Sequence, residues 1–212
     1  MKSLNQYIKE KLIINQRFDE KLIINQRFDE KLIINKDYRE AKIVVKSFDE
    51  LRKIIEDRYD KLGEGTKANP IDFNDIDVSN IYSFYNDKGK GVFGKGIFQE
   101  TKFKYIDISD WDVSNVESMR HMFYWCRELR SIGDISSWNV SKVTNMCSMF
   151  SNCYYFNQNI SGWDVSSVTE MQYMFYNCEK FNQDLSKWNV LGVKNILMFD
   201  GCPIKNEYKP KF

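Results

Sequence analysis

One histidine, His121, is all the imidazole in this 212-residue chain. Nothing in the pattern pairs with it, so no Ser-His-Asp or Cys-His constellation can be assembled. Carboxylates are plentiful but occur as repeat positions, so the chain reads as non-enzymatic and calls for no cofactor. Charge of one sign is also missing: 31 Lys and Arg stand against 30 Asp and Glu, a net charge of +1. No strong field therefore draws nucleic acid or an anionic membrane. No apolar run approaches the roughly 20 residues of a membrane span. The opening "MKSLNQYIKEKL" has neither the apolar stretch nor the cleavage site of a secretory signal. No anchoring pattern closes the chain. The expectation is a soluble protein kept in the cytoplasm that makes it, or packaged by something made there. The five cysteines are odd in number and form no close pairs, which argues against a disulfide framework and against a zinc site.

What is present is a core's worth of apolar residues, 42%, with 15% aromatic, organised as a repeat. From residue 103 onward the chain recurs at about 25 residues, marked by Trp111, Trp138, Trp163 and Trp188. The units read "WDVSNVESMRHMF", "WNVSKVTNMCSMF", "WDVSSVTEMQYMF" and "WNVLGVKNILMF". A worn earlier copy, "IDVSNIYSF", has Ile76 in place of tryptophan. A period of this size signals units that bury their apolar faces only against their neighbours. Within a unit Ile106 and Ile108 alternate as in a strand. Val116, Met119, Phe123 and Cys126 then fall on one face of a short helix, which Ser114 and Glu117 would cap. The in-register Cys126, Cys153, Cys178 and Cys202 read as small core positions, and the tryptophans as a stacked core ladder rather than a sugar platform. The fold expected is α/β: a short leucine-rich-repeat-like solenoid over residues 76–202, with parallel strands on one side and short helices on the other.

At these residues a resemblance emerges. "FNQNISGWDVSSVTEMQYMFYNC" closely resembles the unit of the BspA-like leucine-rich repeat proteins. That bacterial surface-protein family is also described as a mycoplasma-type domain of unknown function. The resemblance spans about residues 71–202 and implies the solenoid, a role in adhesion or protein binding, and display at a cell surface. Similar short, leaderless chains also resemble bacteriophage products, which implies a virion-associated alternative.

Upstream, residues 40–75 read as an N-terminal cap. "AKIVV" is a strand. "SFDELRKIIEDRYDKLG" is a helix capped by Ser47 and Glu50, with Leu51, Ile54, Ile55 and Tyr59 buried and Gly63 as its stop. Residues 1–39 read as a mobile arm. "EKLIINQRFD" stands there twice unchanged and a third time altered, and exact copies look like recent duplication rather than a drifting structural repeat. Ten residues along a helix rotate successive copies by about 80°. Along a strand they keep Leu12, Ile14 and Phe18 on one side with Leu22, Ile24 and Phe28. These six are the candidate docking arm, since repeated short motifs raise avidity. Residues 203–212 form a short polar tail.

Two further features carry function-like signals. Residues 86–101, "NDKGKGVFGKGIFQET", imitate a phosphate loop through Gly89, Gly94 and Lys95, and Gly89, Gly91 and Gly94 also match a dinucleotide-binding fingerprint by letter. Gly96, however, stands where the loop needs Ser or Thr, and neither motif follows an apolar strand or opens a convincing helix. The reading is an insertion loop. The second feature is a polar strip pointing outward from the strands: Lys104, Asp107, Asp134, Asn157, Asn159, Asn182 and Asp184. It is the candidate face for a protein or glycan partner. Its aspartates repel one another; solvation is the adopted answer and a bound cation the alternative. Asp77, Asp112, Asn139, Asp164 and Asn189, one place after the tryptophan position, are expected to bond the turn backbone. The runner-up reading is a cargo or accessory protein whose arm docks and whose repeat is a passive body.

Overall fold

The chain divides into two units, Met1–Glu40 and Ala41–Phe212. The computed structural model describes residues 42–86 and 94–212; the docking-arm residues Leu12, Ile14, Phe18, Leu22, Ile24 and Phe28 lie outside them. The described part is a small mixed α/β structure in which strands are short and one helix stands out. In chain order it runs β1 (Ile43–Val44), α1 (Phe48–Leu62), β2 (Ile71–Asp72), β3 (Ile76–Asp77), β4 (Tyr85–Asn86), β5 (Lys95–Gly96) and β6 (Ile106–Asp107), with a closing 3-10 turn at Asn206–Tyr208.

The sequence sets the ends of α1. Ser47 accepts the Glu50 amide at 3.2 Å while the Glu50 carboxylate reaches back to the Lys46 amide at 2.8 Å, a reciprocal cap. At the far end Gly63, with φ of 74°, donates to the Tyr59 carbonyl at 2.8 Å. Leu51, Ile54 and Ile55 are buried and join the common core. Arg58 ties the helix to the chain beyond it with two bonds to Asp75, 2.8 and 2.7 Å.

Pairing between successive units is parallel. β1 pairs with β3 and β2 with β6, and Tyr105 continues to Ser131. The longer ladder runs elsewhere, through Ser83, Ser118, Asn145, Glu170 and Lys194. That ladder opens the stretch where short helices were expected, and this expectation is corrected: among the described residues α1 is the one α-helix. The amides explain why. Met119, His121, Phe123 and Trp125 donate to Asn145, Cys147, Met149 and Ser151 of the next unit, while Met122, Tyr124 and Cys126 donate three residues back. A helix would need the i−4 carbonyl for each. His121 and Trp125 also take positive φ, 55° and 62°, which a right-handed helix excludes. The same alternation recurs from Met146 to Cys153 and from Met171 to Cys178. The strand phrases expected in the later units form no named strand either; β6 and the Ser131 pairing are where they pair.

The core is a set of columns. Phe98, Phe123, Phe150, Phe175 and Phe199 stack face to face at 5.3, 5.5, 5.9 and 5.6 Å. Beside them Cys126, Cys153 and Cys178 each donate their thiol to the carbonyl of Phe98, Phe123 and Phe150, at 3.0 Å every time. Burial pushes the Cys126 thiol up to about 11 and raises Cys153 and Cys178 as well, so these sulfurs stay protonated donors. Trp111, Trp163 and Trp188 are buried and hydrogen-bond backward to Phe73, Ile135 and Ile160 carbonyls. Trp138 is buried too, with its Nε1 unpartnered.

Phe98 at the head of that column revises the reading of residues 86–101. β4 and β5 form an antiparallel hairpin, and Ile97 and Phe98 beyond it are fully buried. Phe84 matches Met119 in the repeat, and Phe98 matches Phe123. The worn first unit is therefore complete, split by a hairpin inserted between its two halves.

Candidate functional site

The repeat fixes its apolar positions and leaves four free ones in each turn segment. In successive units the segment reads "MRHMFYWC", "MCSMFSNC" and "MQYMFYNC". Methionine, phenylalanine and the in-register cysteine fill the core, and the other positions line up in rows, one unit beside the next. The first of these three segments offers Arg120, His121, Tyr124 and Trp125. The third offers Gln172, Tyr173, Tyr176 and Asn177. The middle unit offers only small groups: Cys147, Ser148, Ser151 and Asn152.

The result is a groove of about 850 Å³ that all of these except Gln172 line, together with Gln99, Glu100 and Leu197. Its walls are rings and its floor is small and polar. The phenylalanine column gives its width: the two walls stand two steps apart, 5.5 and 5.9 Å, and the middle unit contributes no ring to fill the gap. The backbone helps set this shape. His121, Ser148, Tyr173 and Leu197 form one row of left-handed residues, and Glu100, Trp125, Asn152, Asn177 and Gly201 form another.

The floor is where the interior's polarity collects. Four polar side chains are classed as buried among the described residues, His121, Ser148, Ser151 and Asn152, and all four line this groove. Some are satisfied by each other. Asn152 donates to the Ser151 hydroxyl at 3.1 Å and accepts from Asn177 at 3.0 Å. Others are not: His121 Nδ1 and Arg120 Nε are buried with no partner. Unpaired buried polar atoms are uncommon and call for an explanation. Tyr124 stacks on His121 at 4.8 Å and Tyr85 meets its edge at 5.4 Å. Burial, with a smaller contribution from Arg120, lowers its pKa to about 4, so the imidazole is neutral at neutral pH. Trp125 is the one tryptophan with an exposed ring, 40% accessible. The Arg127 guanidinium lies 4.0 Å from its centroid and braces it.

The strip singled out from the sequence carries local bonds of its own. Lys104 pairs with Glu64 at 2.6 Å. Asp107, Asp134, Asn159 and Asp184 each accept the amide two residues on, from Ser109, Ser136, Ser161 and Ser186, at 2.9 to 3.1 Å. Asp77, Asp112, Asn139 and Asp164 do the same for Ser79, Ser114, Ser141 and Ser166. The serine hydrogen bonds hold Asp134 and Asp184 below the usual carboxylate value; for Asp107 burial pulls the other way and is outweighed. Asn157 and Asn182 are brought together, the first accepting the second's amide at 3.0 Å. Among the described residues no group of three or more His, Cys, Asp or Glu is placed to hold a metal ion. Gly89 and Gly91 lie outside the described residues. Gly94 and Gly96 serve packing: a Cβ at Gly96 would stand 1.9 Å from the His121 carbonyl oxygen, and one at Gly94 would stand 2.3 Å from that of Asn86.

Sequence reasoning missed the groove, although its signal was present. Aligned on their constant letters, the units vary at four positions, and two of these run ring, small, ring: His121, Ser148 and Tyr173, then Tyr124, Ser151 and Tyr176.

The described part of the molecule is thus a mixed α/β repeat with parallel ladders and a ring-walled groove. The family model described as "Mycoplasma protein of unknown function, DUF285" matches residues 94–211, more than half the chain, and the chain belongs to that family. The match takes in every groove residue and begins at Gly94, just before the second strand of the hairpin. No curated protein and no solved structure matches the chain. Among the described residues no helix is long and apolar enough to cross a membrane.

Proposed function

We propose that this chain is a non-enzymatic binding module: a short leucine-rich-repeat-like solenoid, relatives of which are bacterial surface proteins, that holds a protein or glycan partner in its turn-side groove. The parallel pairings at one-unit spacing support the solenoid. The observation that carries the binding role is the gathering of the buried polar side chains under one groove. Tyrosine, tryptophan, serine and asparagine line it, the residue types that binding surfaces favour for rigid contact and adaptable hydrogen bonding. Catalysis has little to work with, since His121 is neutral, closed in by rings, and bonded at Nδ1 to no acid or nucleophile.

The test screens the full chain and a Trp125→Ala/Tyr173→Ala variant in parallel against arrays of glycans, peptides and bacterial and host surface proteins. Retention by the parent and not by the variant is expected. Equal retention by both, or none by either, removes the groove as a binding site. A second reading, in which the arm docks and the repeat is passive, is favoured by the identical decapeptides; it requires that deleting residues 10–29, and not changing the groove, abolishes capture.

A further inference from the structure

We infer that the groove is a subsite for a neutral oligosaccharide, one sugar ring seated between the Trp125 and Tyr173 walls over the Ser148–Asn152 floor. This rests on the binding-module reading and narrows it.

Charge comes first. Glu100 and Arg120 are the carboxylate and guanidinium lining the groove. They offset each other, and His121 adds no charge. The lining itself offers no net opposite charge to a phosphorylated, sulfated or strongly cationic ligand, and the nearby Arg127 guanidinium is stacked on the Trp125 ring. A neutral one loses nothing here.

The second argument is hydrogen-bonding type. The floor presents hydroxyls at Ser148 and Ser151 and the amide of Asn152. Such a mixture of donors and acceptors is met by groups that both donate and accept, and a hydroxyl does both. A sugar carries several hydroxyls on adjacent carbons and an apolar C–H face between them. Ring walls over a polar floor match that division. Trp125 and Tyr173 are 40% and 38% accessible, so ring surface is available for contact. The groove volume also falls within the roughly 300–1,000 Å³ of small-ligand sites.

The third argument weighs against the leading alternative, an extended peptide. Peptides commonly bind by adding a strand to a free sheet edge. Here the amides along the groove are already spent: His121 on Cys147, Ser148 on Gln172, Tyr173 on Ile196. The buried floor is also polar where a peptide's apolar anchor would seek an apolar pocket.

The experiment titrates the full chain with neutral oligosaccharides of glucose, mannose, galactose and N-acetylglucosamine, alongside sialylated and sulfated glycans and a library of unstructured peptides. Binding is read by tryptophan emission and by calorimetry. The other four tryptophans are buried, so Trp125 reports on the groove. At least one neutral oligosaccharide is expected to saturate the signal. Trp125→Ala and Tyr173→Ala should each weaken it at least tenfold, and Tyr82→Ala, exposed and outside the groove, should leave it unchanged. Trp125→Phe should lose the optical change while calorimetry still registers binding. Unchanged melting temperatures would exclude unfolding as the cause. If peptides or proteins bind and are lost in Tyr173→Ala while no neutral sugar binds, the sugar inference is overturned and the binding module stands. If acidic glycans bind tenfold tighter than their neutral counterparts, the charge argument fails and the inference with it. If nothing binds at all, both readings fall.

Discussion

The indole of Trp163 lies over that of Trp138, centroids 6.3 Å apart and planes within 8° of parallel, and its Nε1 donates to the Ile135 carbonyl at 3.0 Å. One side chain thus joins two repeat units twice, by ring contact and by a hydrogen bond, and is 4% exposed while doing so. Trp163→Ala should cost about 3–5 kcal/mol, a large part of the ~5–15 kcal/mol that holds a domain. Trp163→Phe keeps a ring but strands the Ile135 carbonyl, and should cost less. Urea unfolding measures both. A Trp163→Ala protein that unfolds with the parent would show that the column contributes nothing to stability.

Gly96 offers a second test. Its missing side chain makes room for the His121 carbonyl, itself the acceptor of the Tyr124 amide, and both residues line the groove. Gly96→Ala should force that backbone aside at a cost of about 1–3 kcal/mol and disturb the groove. Gly162→Ala is the control. Nothing stands within 4 Å of its Cβ and its φ is not positive, so it should be neutral, or stabilising by about 0.4–1 kcal/mol. Equal effects at the two glycines would mean that close approach at Gly96 is not what its glycine is for.

Much of the molecule could be read from its letters, and the part that could not has a definite cause. The ends of α1 follow from Ser47, Glu50 and Gly63, whose chemistry is local. The columns follow from the 25-residue period. The helix expected at Val116–Cys126 does not form, although Val116, Met119, Phe123 and Cys126 are all fully buried as that reading required. Successive three-residue turns return side chains to one face almost as an α-helix does. Burial pattern therefore cannot separate the two. What separates them is where the amides go, and partners in the next unit are invisible in a single segment. The inserted hairpin was hidden for a similar reason: its glycines drew attention from "IF", the first unit's missing end. The groove needed the stacking to be seen, because its floor is defined by what the middle unit lacks.

Stability should fall with acid over two pH ranges. The folded state keeps His121 neutral down to about pH 4, while in the unfolded chain it takes a proton near 6.5. A base whose pKa is lowered by folding contributes stability above its unfolded value and loses it as the pH falls. The loss should run from about pH 6.5 to 4, approaching ~1.4 kcal/mol per pH unit. The second range belongs to Asp77, Asp112, Asp134, Asp164 and Asp184, each lowered from 3.8 first by the hydroxyl of the serine two residues on. Their stabilisation is complete above 3.8 and disappears as the pH falls further. Unfolding curves between pH 3 and 8 would resolve the two. His121→Phe should flatten the upper limb alone. An unchanged slope there would place the proton uptake elsewhere.

The asparagines at the end of the repeat give the last expectation. Read from sequence, Asn157 and Asn182 belong to an outward-pointing polar strip, the candidate face for a partner. The structure gives them structural bonds. Asn157 Oδ1 accepts the Asn182 amide at 3.0 Å and the Gln183 side chain at 2.9 Å, and Asn182 Oδ1 in turn accepts the Lys205 amide at 3.0 Å. Two acceptors in sequence thus connect the last units to the C-terminal segment. Asn157→Lys replaces an acceptor with a donor that cannot take either hydrogen. Because the site is exposed, water compensates in part, and the cost should be about 0.5–1.5 kcal/mol. Asn157→Asp retains an acceptor at that position and should stay close to the parent at neutral pH. Hydrogen exchange at the Asn182 amide distinguishes the cases: faster in the lysine variant, unchanged in the aspartate variant. Equal protection in all three proteins would return Asn157 to the outward-pointing strip.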